Sequence, residues 1–127
     1  MTWLTENLAS KGYVVAAIYH QDPDPDRSSA VVRSGPFLRR PLDIGFAART
    51  LPALLGEQID PTKVALIGYS MGGYGVVTAG GASLDANGPT IRFGGGPGQE
   101  VAKIAKNGPD EALSKVAGVK AIVAMAP

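Results

Sequence analysis

One serine of this chain lies in a pattern that could make its hydroxyl a nucleophile. Ser70 stands in Gly-Tyr-Ser-Met-Gly, directly after the apolar residues 64–67 and before small residues that can open a helix. A serine on such a strand-to-helix turn has a strained backbone and presents its hydroxyl above the edge of the sheet. The backbone N–H of Met71 would then be the first donor to an oxyanion. The pattern predicts acyl transfer through Ser70.

Two glycines are expected to shape this turn. Gly68 and Gly72 stand two residues before and after Ser70, where we expect a Cβ to collide as strand and helix approach each other. With 17 glycines in 127 residues, the five-residue pattern is weak evidence alone, and the preceding buried-strand run gives it weight. The alternative is the same turn with a serine that does no chemistry.

Two further segments contain residue types that could bind a ligand. Asp22, Asp24 and Asp26 alternate with prolines, but they lack the glycine-turn spacing of a calcium loop, so we interpret them as an exposed acidic loop. The glycines of residues 94–98 precede a helical stretch, yet they fit neither the dinucleotide nor the P-loop pattern. We interpret that segment as a surface loop, and we expect no metal and no nucleotide.

The composition limits the classes of protein to which this chain can belong. The chain has 127 residues, 45% of them hydrophobic, a net charge of +1 and no cysteine. This composition predicts one domain with a core, no disulfide, and no nucleic-acid partner. No apolar run is long enough to span a membrane, and the N-terminus lacks the layout of a signal peptide.

Helical and strand patterns alternate along the chain, which predicts an α/β fold: three layers, αβα, with a parallel sheet. His20, the only histidine, and Ser70 then both lie at C-terminal strand ends, where ligands bind. The expected helices are 3–10, 41–55, 72–79, 99–106 and 110–116, the expected buried strands are 13–19, 63–68 and 119–125, and a long loop is expected over 21–39.

Four segments in this order resemble the α/β-hydrolases, most closely the dienelactone-hydrolase-like group, which is similar to plasma platelet-activating-factor acetylhydrolases. They are LASKGYVVAAIYH, RPLDIGFAARTL, IDPTKVALIGYSMGGYG and VKAIVAMAP. The resemblance implies a serine hydrolase of carboxylic esters or lactones that needs no cofactor. It makes Ser70 the nucleophile and Met71 the oxyanion donor, with Gly68 and Gly72 forming the elbow.

The chain also departs from that family. The resemblance places residues 1–127 in the central part of a single hydrolase domain, without the N-terminal strands and the later Asp and His segments. No histidine follows Ser70, and Asp85 and Asp110 match no triad position. His20 precedes the serine, so we do not assign it as the general base. We expect it either to line the pocket with Tyr69 or simply to end a strand.

Two expectations follow from these departures. The family's strand between those that correspond to 13–19 and 63–68 is absent, so strand edges would be open to self-association. The alternative to an enzyme is a non-catalytic hydrolase remnant or a small-molecule binding module.

Overall fold

The computed structural model describes residues 2–22, 30–85, 88 and 98–127. These residues form four α-helices, two strands and two short 3-10 helices. In chain order they are α1 (Thr2–Ala9), α2 (Ala30–Leu55), a 3-10 turn (Gly56–Gln58), β1 (Val64–Tyr69), α3 (Met71–Ala79), α4 (Gly98–Ala102), a 3-10 turn (Ala112–Ser114) and β2 (Val119–Met125). No helix in the described ranges is both long and apolar enough to cross a membrane.

The two strands confirm the prediction of a parallel sheet next to helices, hence a mixed α/β fold. β1 pairs with β2 in parallel, from Val64 beside Val119 to Tyr69 beside Met125, with one irregularity after Val64. The crossover between them includes α3, which packs on both strands. Both strands lie where the sequence predicts them.

The main core forms where α3 meets β1 and α2. Val76 and Ala79 of α3 are buried against Leu66 of β1 and Ile44 of α2. A second cluster lies between α4 and the first half of α2, and its buried members are Val101, Ile104 and Ala105. The core is thus built mainly around α3 and one side of α2.

The strands are less buried than their composition predicts. On β1, Leu66 and Gly68 are buried, whereas Ala65 and Tyr69 are exposed. Most of β2 is exposed as well, including Ile122. The prediction that the strands are buried on both faces is therefore wrong within the described residues. The reason is that α3 is the only described helix with extensive contacts to the sheet.

The strand expected at 13–19 was also wrong. Residues 13–22 form no helix or strand, and Tyr13 and Tyr19 are exposed. An apolar, β-branched run becomes a strand only when a neighbouring backbone supplies its hydrogen bonds. The sheet of the described residues contains only β1 and β2, so this segment has no such partner in it.

The sequence predicts a loop over 21–39, but α2 already begins at Ala30. Residues 23–29 lie outside the described residues. Pro36, Pro41 and Pro52 all lie inside this helix. Pro52, expected to break or kink it near its end, does not end it. The α-helix stops at Leu55, where Gly56 adopts a φ of 54°. Packing against α3 outweighs the low helix propensity of proline here.

The remaining helices are shorter than predicted. The helix expected at 99–106 ends at Ala102, and the one expected at 110–116 is only a 3-10 turn. Asn107 has a φ of 66°, which interrupts any regular helix between them. By contrast, α1 ends as expected, with Gly12 at a φ of 88° in the left-handed conformation typical of a helix C-terminus.

The turn before β1 confirms the expected Asp-Pro turn. The backbone N–H and the Oγ1 hydroxyl of Thr62 both donate to Asp60 Oδ1, at 2.9 and 2.6 Å. These hydrogen bonds, with help from Lys63, lower the pKa of Asp60 to about 2. The carboxylate thus fixes the point at which the chain enters β1.

A lysine from beyond the helix holds the C-terminal end of α3. Lys115 Nζ donates to the carbonyl oxygens of Thr78, at 2.9 Å, and Ala82, at 2.6 Å. The Thr78 carbonyl also accepts from the N–H of Gly81, at 3.3 Å, and Ala82 lies three residues beyond the helix. A cation is favourable at this end of the helix dipole. Burial lowers the pKa of Lys115, while nearby Glu111 acts in the opposite direction.

We predict that Lys115→Met lowers the free energy of unfolding by about 1–2 kcal/mol, because the carbonyls lose a charged donor. Urea denaturation of the two proteins measures the difference. Lys120→Met is the matched control, since Lys120 lies exposed on β2. Equal losses in the two variants would contradict the capping role.

Candidate functional site

Ser70 forms the whole connection between β1 and α3. It follows Tyr69, the last residue of β1, and precedes Met71, the first residue of α3. Its backbone angles are φ 52° and ψ −122°, a combination that is strained for a residue with a Cβ. The residue is exposed. The sharp turn expected at this serine is therefore present.

Backbone hydrogen bonds tie Ser70 to both neighbouring elements. Its N–H donates to the carbonyl of Met125 at the end of β2, at 2.8 Å, which continues the parallel ladder. Its own carbonyl accepts from the N–H of Tyr74, at 3.2 Å, as the first hydrogen bond of α3. Because Ser70 hydrogen-bonds to both the strand and the helix, its φ and ψ angles alone reverse the direction of the chain.

The two flanking glycines have different roles. A Cβ at Gly68 would overlap the carbonyl of Gly72, so strand and helix approach each other here at backbone contact distance. A Cβ at Gly72 would meet nothing within 4 Å. The predicted collision is therefore correct at Gly68 and wrong at Gly72, whose carbonyl makes the contact while its Cα faces open space.

A third glycine brings α3 close to the end of β2. A Cβ at Gly73 would lie 3.0 Å from Pro127 Cα and 3.1 Å from the carbonyl oxygen of Met125, tighter than ordinary contact. The first turn of α3 therefore lies against the residues that follow β2.

Some hydrogen-bonding groups around Ser70 already have a partner within the protein, and others could bind a ligand. The N–H of Ser70 is engaged by Met125. The N–H of Met71, at the first position of α3, has no hydrogen-bond acceptor among the described residues. The Ser70 hydroxyl makes no capping hydrogen bond, and no other described residue bonds to it. An exposed hydroxyl thus lies beside a free amide at the positive end of a helix dipole.

An aromatic pair holds the first turn of α3 against α2. Tyr74 donates its hydroxyl to the carbonyl of Phe37 at 3.0 Å, and the two rings meet edge to face with centroids 5.3 Å apart. Burial raises the pKa of Tyr74 to about 12. No local sequence pattern indicates this pair, because its members lie 37 residues apart.

His20 lies beside α2. Its Nδ1 is 2.7 Å from Asp43 Oδ2, and its side chain is largely buried. Asp22 forms an ion pair with Arg40 close by. Asp43, expected only to begin a helix, instead lies within α2 and faces His20. No hydrogen bond joins His20 to Ser70, both of which the structure describes.

Tyr69, the other residue predicted to line the pocket, ends β1 next to Ser70 in the chain and is 61% exposed. The acidic residues and the glycine run that the sequence analysis does not assign to the site make no described contact with Ser70. Asp110 accepts backbone hydrogen bonds from Leu113 and Ser114 in its own turn. Asp24, Asp26 and residues 94–97 lie outside the described residues. Within the described ranges, no group of three or more His, Asp or Glu side chains could hold a metal ion.

Comparisons with known proteins add nothing to this geometry. No protein-family model, curated protein or solved structure matches the chain. The site is therefore characterised by its own residues.

The contact at Gly68 predicts different results for two similar substitutions. Gly68→Ala should lower the free energy of unfolding by about 1–3 kcal/mol, because the new methyl group forces strand and helix apart. Gly72→Ala should leave it unchanged or raise it by up to about 1 kcal/mol, because alanine is the better helix former. Chemical denaturation measures both, and similar effects of the two substitutions would contradict the close approach.

The strain at Ser70 predicts that glycine is more stable there than alanine. Ser70→Gly should unfold about 1 kcal/mol less readily than Ser70→Ala, since relief of the positive φ exceeds the entropic cost of glycine. Calorimetry or urea denaturation of the two variants gives the difference. The same pair at Ser83, which has no positive φ, should show the opposite order.

Proposed function

We propose that this chain carries the nucleophile of a serine hydrolase that acts on carboxylic ester or lactone bonds. The observation that supports this most is the backbone of Ser70, at φ 52° and ψ −122°, with the residue exposed between a strand end and a helix start. A strained serine in this position is typical of a nucleophile elbow. The proposal includes a three-layer α/β-hydrolase domain, of which β1, α3 and β2 form part.

In the proposed reaction, Ser70 Oγ attacks the carbonyl carbon of the ester. The carbonyl oxygen becomes an oxyanion, and the N–H of Met71 donates to it at the start of α3. Collapse of the tetrahedral intermediate expels the alcohol, which takes up a proton and leaves an acyl group on Ser70. Water then hydrolyses this acyl-enzyme. None of these steps requires a metal or a cofactor.

The general base is the component that the described residues do not provide at Ser70. His20 and Asp43 are 2.7 Å apart, as base and orienting carboxylate are in a triad, but His20 makes no hydrogen bond to the serine. An oxyanion hole without its base still supports weak catalysis, roughly a thousandfold over water. We therefore propose at most residual turnover for these residues on their own.

The proposal also includes self-association through β1. One edge of β1 pairs with β2, and no other described strand pairs with its second edge. Unpaired strand edges present free N–H and carbonyl groups to another chain. Sedimentation over a range of concentrations tests for such a dimer.

We predict that a fluorophosphonate probe labels the folded protein once and slowly, on the peptide that contains Ser70, because the Met71 amide can stabilise the developing negative charge while no described base activates Oγ. Attack by Oγ on phosphorus displaces fluoride and leaves a stable adduct that intact-mass and peptide mass spectrometry detect. Labelling should disappear in Ser70→Ala. It should persist in Ser83→Ala, because the Ser83 hydroxyl already donates to Glu111 at 3.0 Å. A folded protein that stays unlabelled, or labelling that survives Ser70→Ala, contradicts the proposal.

A non-catalytic binding module is the second candidate. It is favoured by the absence of any hydrogen bond between a described base and the Ser70 hydroxyl. This candidate requires ligand binding that is unchanged in Ser70→Ala, together with no labelling by the probe. The two functions therefore give opposite results with the same pair of proteins.

A further inference from the structure

A groove separate from Ser70 lies between α2 and the segment that precedes residue 22. Its volume is about 380 Å³, and it is open on one side. Its apolar lining residues include Ile18, Tyr19 and Phe46. Two residues of opposite charge, Arg39 and Asp43, line it as well. The sequence patterns do not predict this groove, because they place a strand at 13–19 and a loop up to residue 39.

The two charges of the groove are positioned to attract each other but remain apart. Arg39 and Asp43 lie four residues apart on α2, the spacing at which side chains on a helix surface become neighbours and ion pairs form. Both side chains are described, yet no ion pair joins them. Asp43 Oδ2 instead contacts His20, and within the described residues Arg39 makes a single, long hydrogen bond, 3.4 Å, to the carbonyl of Gln21.

The apolar wall of the groove is unusually exposed. Tyr19 is 91% and Phe46 is 64% accessible to solvent. Exposed aromatic side chains beside specific polar groups are typical of surfaces that bind a ligand. The groove thus offers a positive group, a negative group and a flat apolar surface within one cavity.

We propose that this groove binds a free α-amino acid with an aromatic or large aliphatic side chain. The ligand carboxylate pairs with the guanidinium of Arg39, and its ammonium group donates to the carboxylate of Asp43. The ligand side chain packs on Tyr19 and Phe46. An α-amino acid carries both charges on one carbon, which suits two side chains whose Cβ atoms lie about 5–6 Å apart on a helix.

Ligands with one charge fit these groups less well. A simple carboxylate pairs with Arg39 but is repelled by Asp43, and a simple amine pairs with Asp43 but is repelled by Arg39. The His20 contact leaves Oδ1 of Asp43 to accept from the ligand. The proposal does not depend on Ser70, so it stands or falls separately from the proposed hydrolase.

Titration with L-phenylalanine, followed by ¹H–¹⁵N NMR of the ¹⁵N-labelled full chain, tests the proposal. Three comparison ligands each lack one recognised group: 3-phenylpropanoate has no ammonium, phenethylamine has no carboxylate, and glycine has no apolar side chain. We expect saturable shifts for residues 18–21 and 39–47 with L-phenylalanine. Each comparison ligand should bind at least about tenfold more weakly, the loss expected for one charged contact or, with glycine, for the buried apolar side chain.

Variants link the binding to the two charges. Arg39→Met and Asp43→Asn should each weaken L-phenylalanine binding about tenfold. Asp43→Asn keeps the size of the side chain and an oxygen that can face His20. Lys120→Met, which removes an exposed charge on β2, should leave the affinity unchanged. The NMR spectra also show whether each variant is folded.

Several results would overturn the proposal. They are the absence of saturable shifts with L-phenylalanine, shifts confined to residues outside the groove, and equal affinity for L-phenylalanine and 3-phenylpropanoate. Full affinity in a folded Arg39→Met protein would overturn it as well. Loss of binding in Ser70→Ala alone would place the ligand at the other site and count equally against the groove.

Discussion

The backbone contact between Gly68 and the carbonyl of Gly72 is the constraint on which the rest of the structure depends. It lets α3 begin one residue after β1 ends, and this leaves Ser70 alone to reverse the chain direction. A positive φ at a serine costs about 1–3 kcal/mol. Contacts on both sides offset that cost: Ser70 N–H bonds to the end of β2, and Val76 and Ala79 of α3 are buried against the sheet and α2. The strain is thus maintained by packing rather than by the turn itself.

The same arrangement determines what is chemically available at the turn. Because the Ser70 N–H is used in the ladder with β2, the first free amide of the helix belongs to Met71. The hydroxyl of Ser70 makes no capping hydrogen bond to its own helix. Neither this hydroxyl nor the amide of Met71 has a hydrogen-bond partner among the described residues, so both are available to a ligand.

Sequence reasoning succeeded where short-range backbone geometry decides the structure. The turn at Ser70 and the helix ends at Gly12 and Gly56 all depend on residues close together in the chain. It failed where the outcome depends on distant partners. Residues 13–19 have strand composition but no partner in the described sheet, and the burial of β1 depends on which helices cover it. The pairing of His20 with Asp43 joins residues 23 positions apart, and no local pattern indicates it.

Position and reactivity are separable properties of Ser70. Position follows from glycine contacts and backbone hydrogen bonds, which would persist if the hydroxyl did no chemistry. Reactivity requires a proton acceptor within hydrogen-bond reach of Oγ, about 3 Å. His20 has the form of such an acceptor, because a carboxylate beside Nδ1 favours the tautomer with its proton there and leaves Nε2 basic. Asp43, however, holds that histidine on α2, beside a groove that does not include Ser70. The strained serine and the oriented histidine are thus held by separate contacts, and activation of Ser70 requires a base from elsewhere.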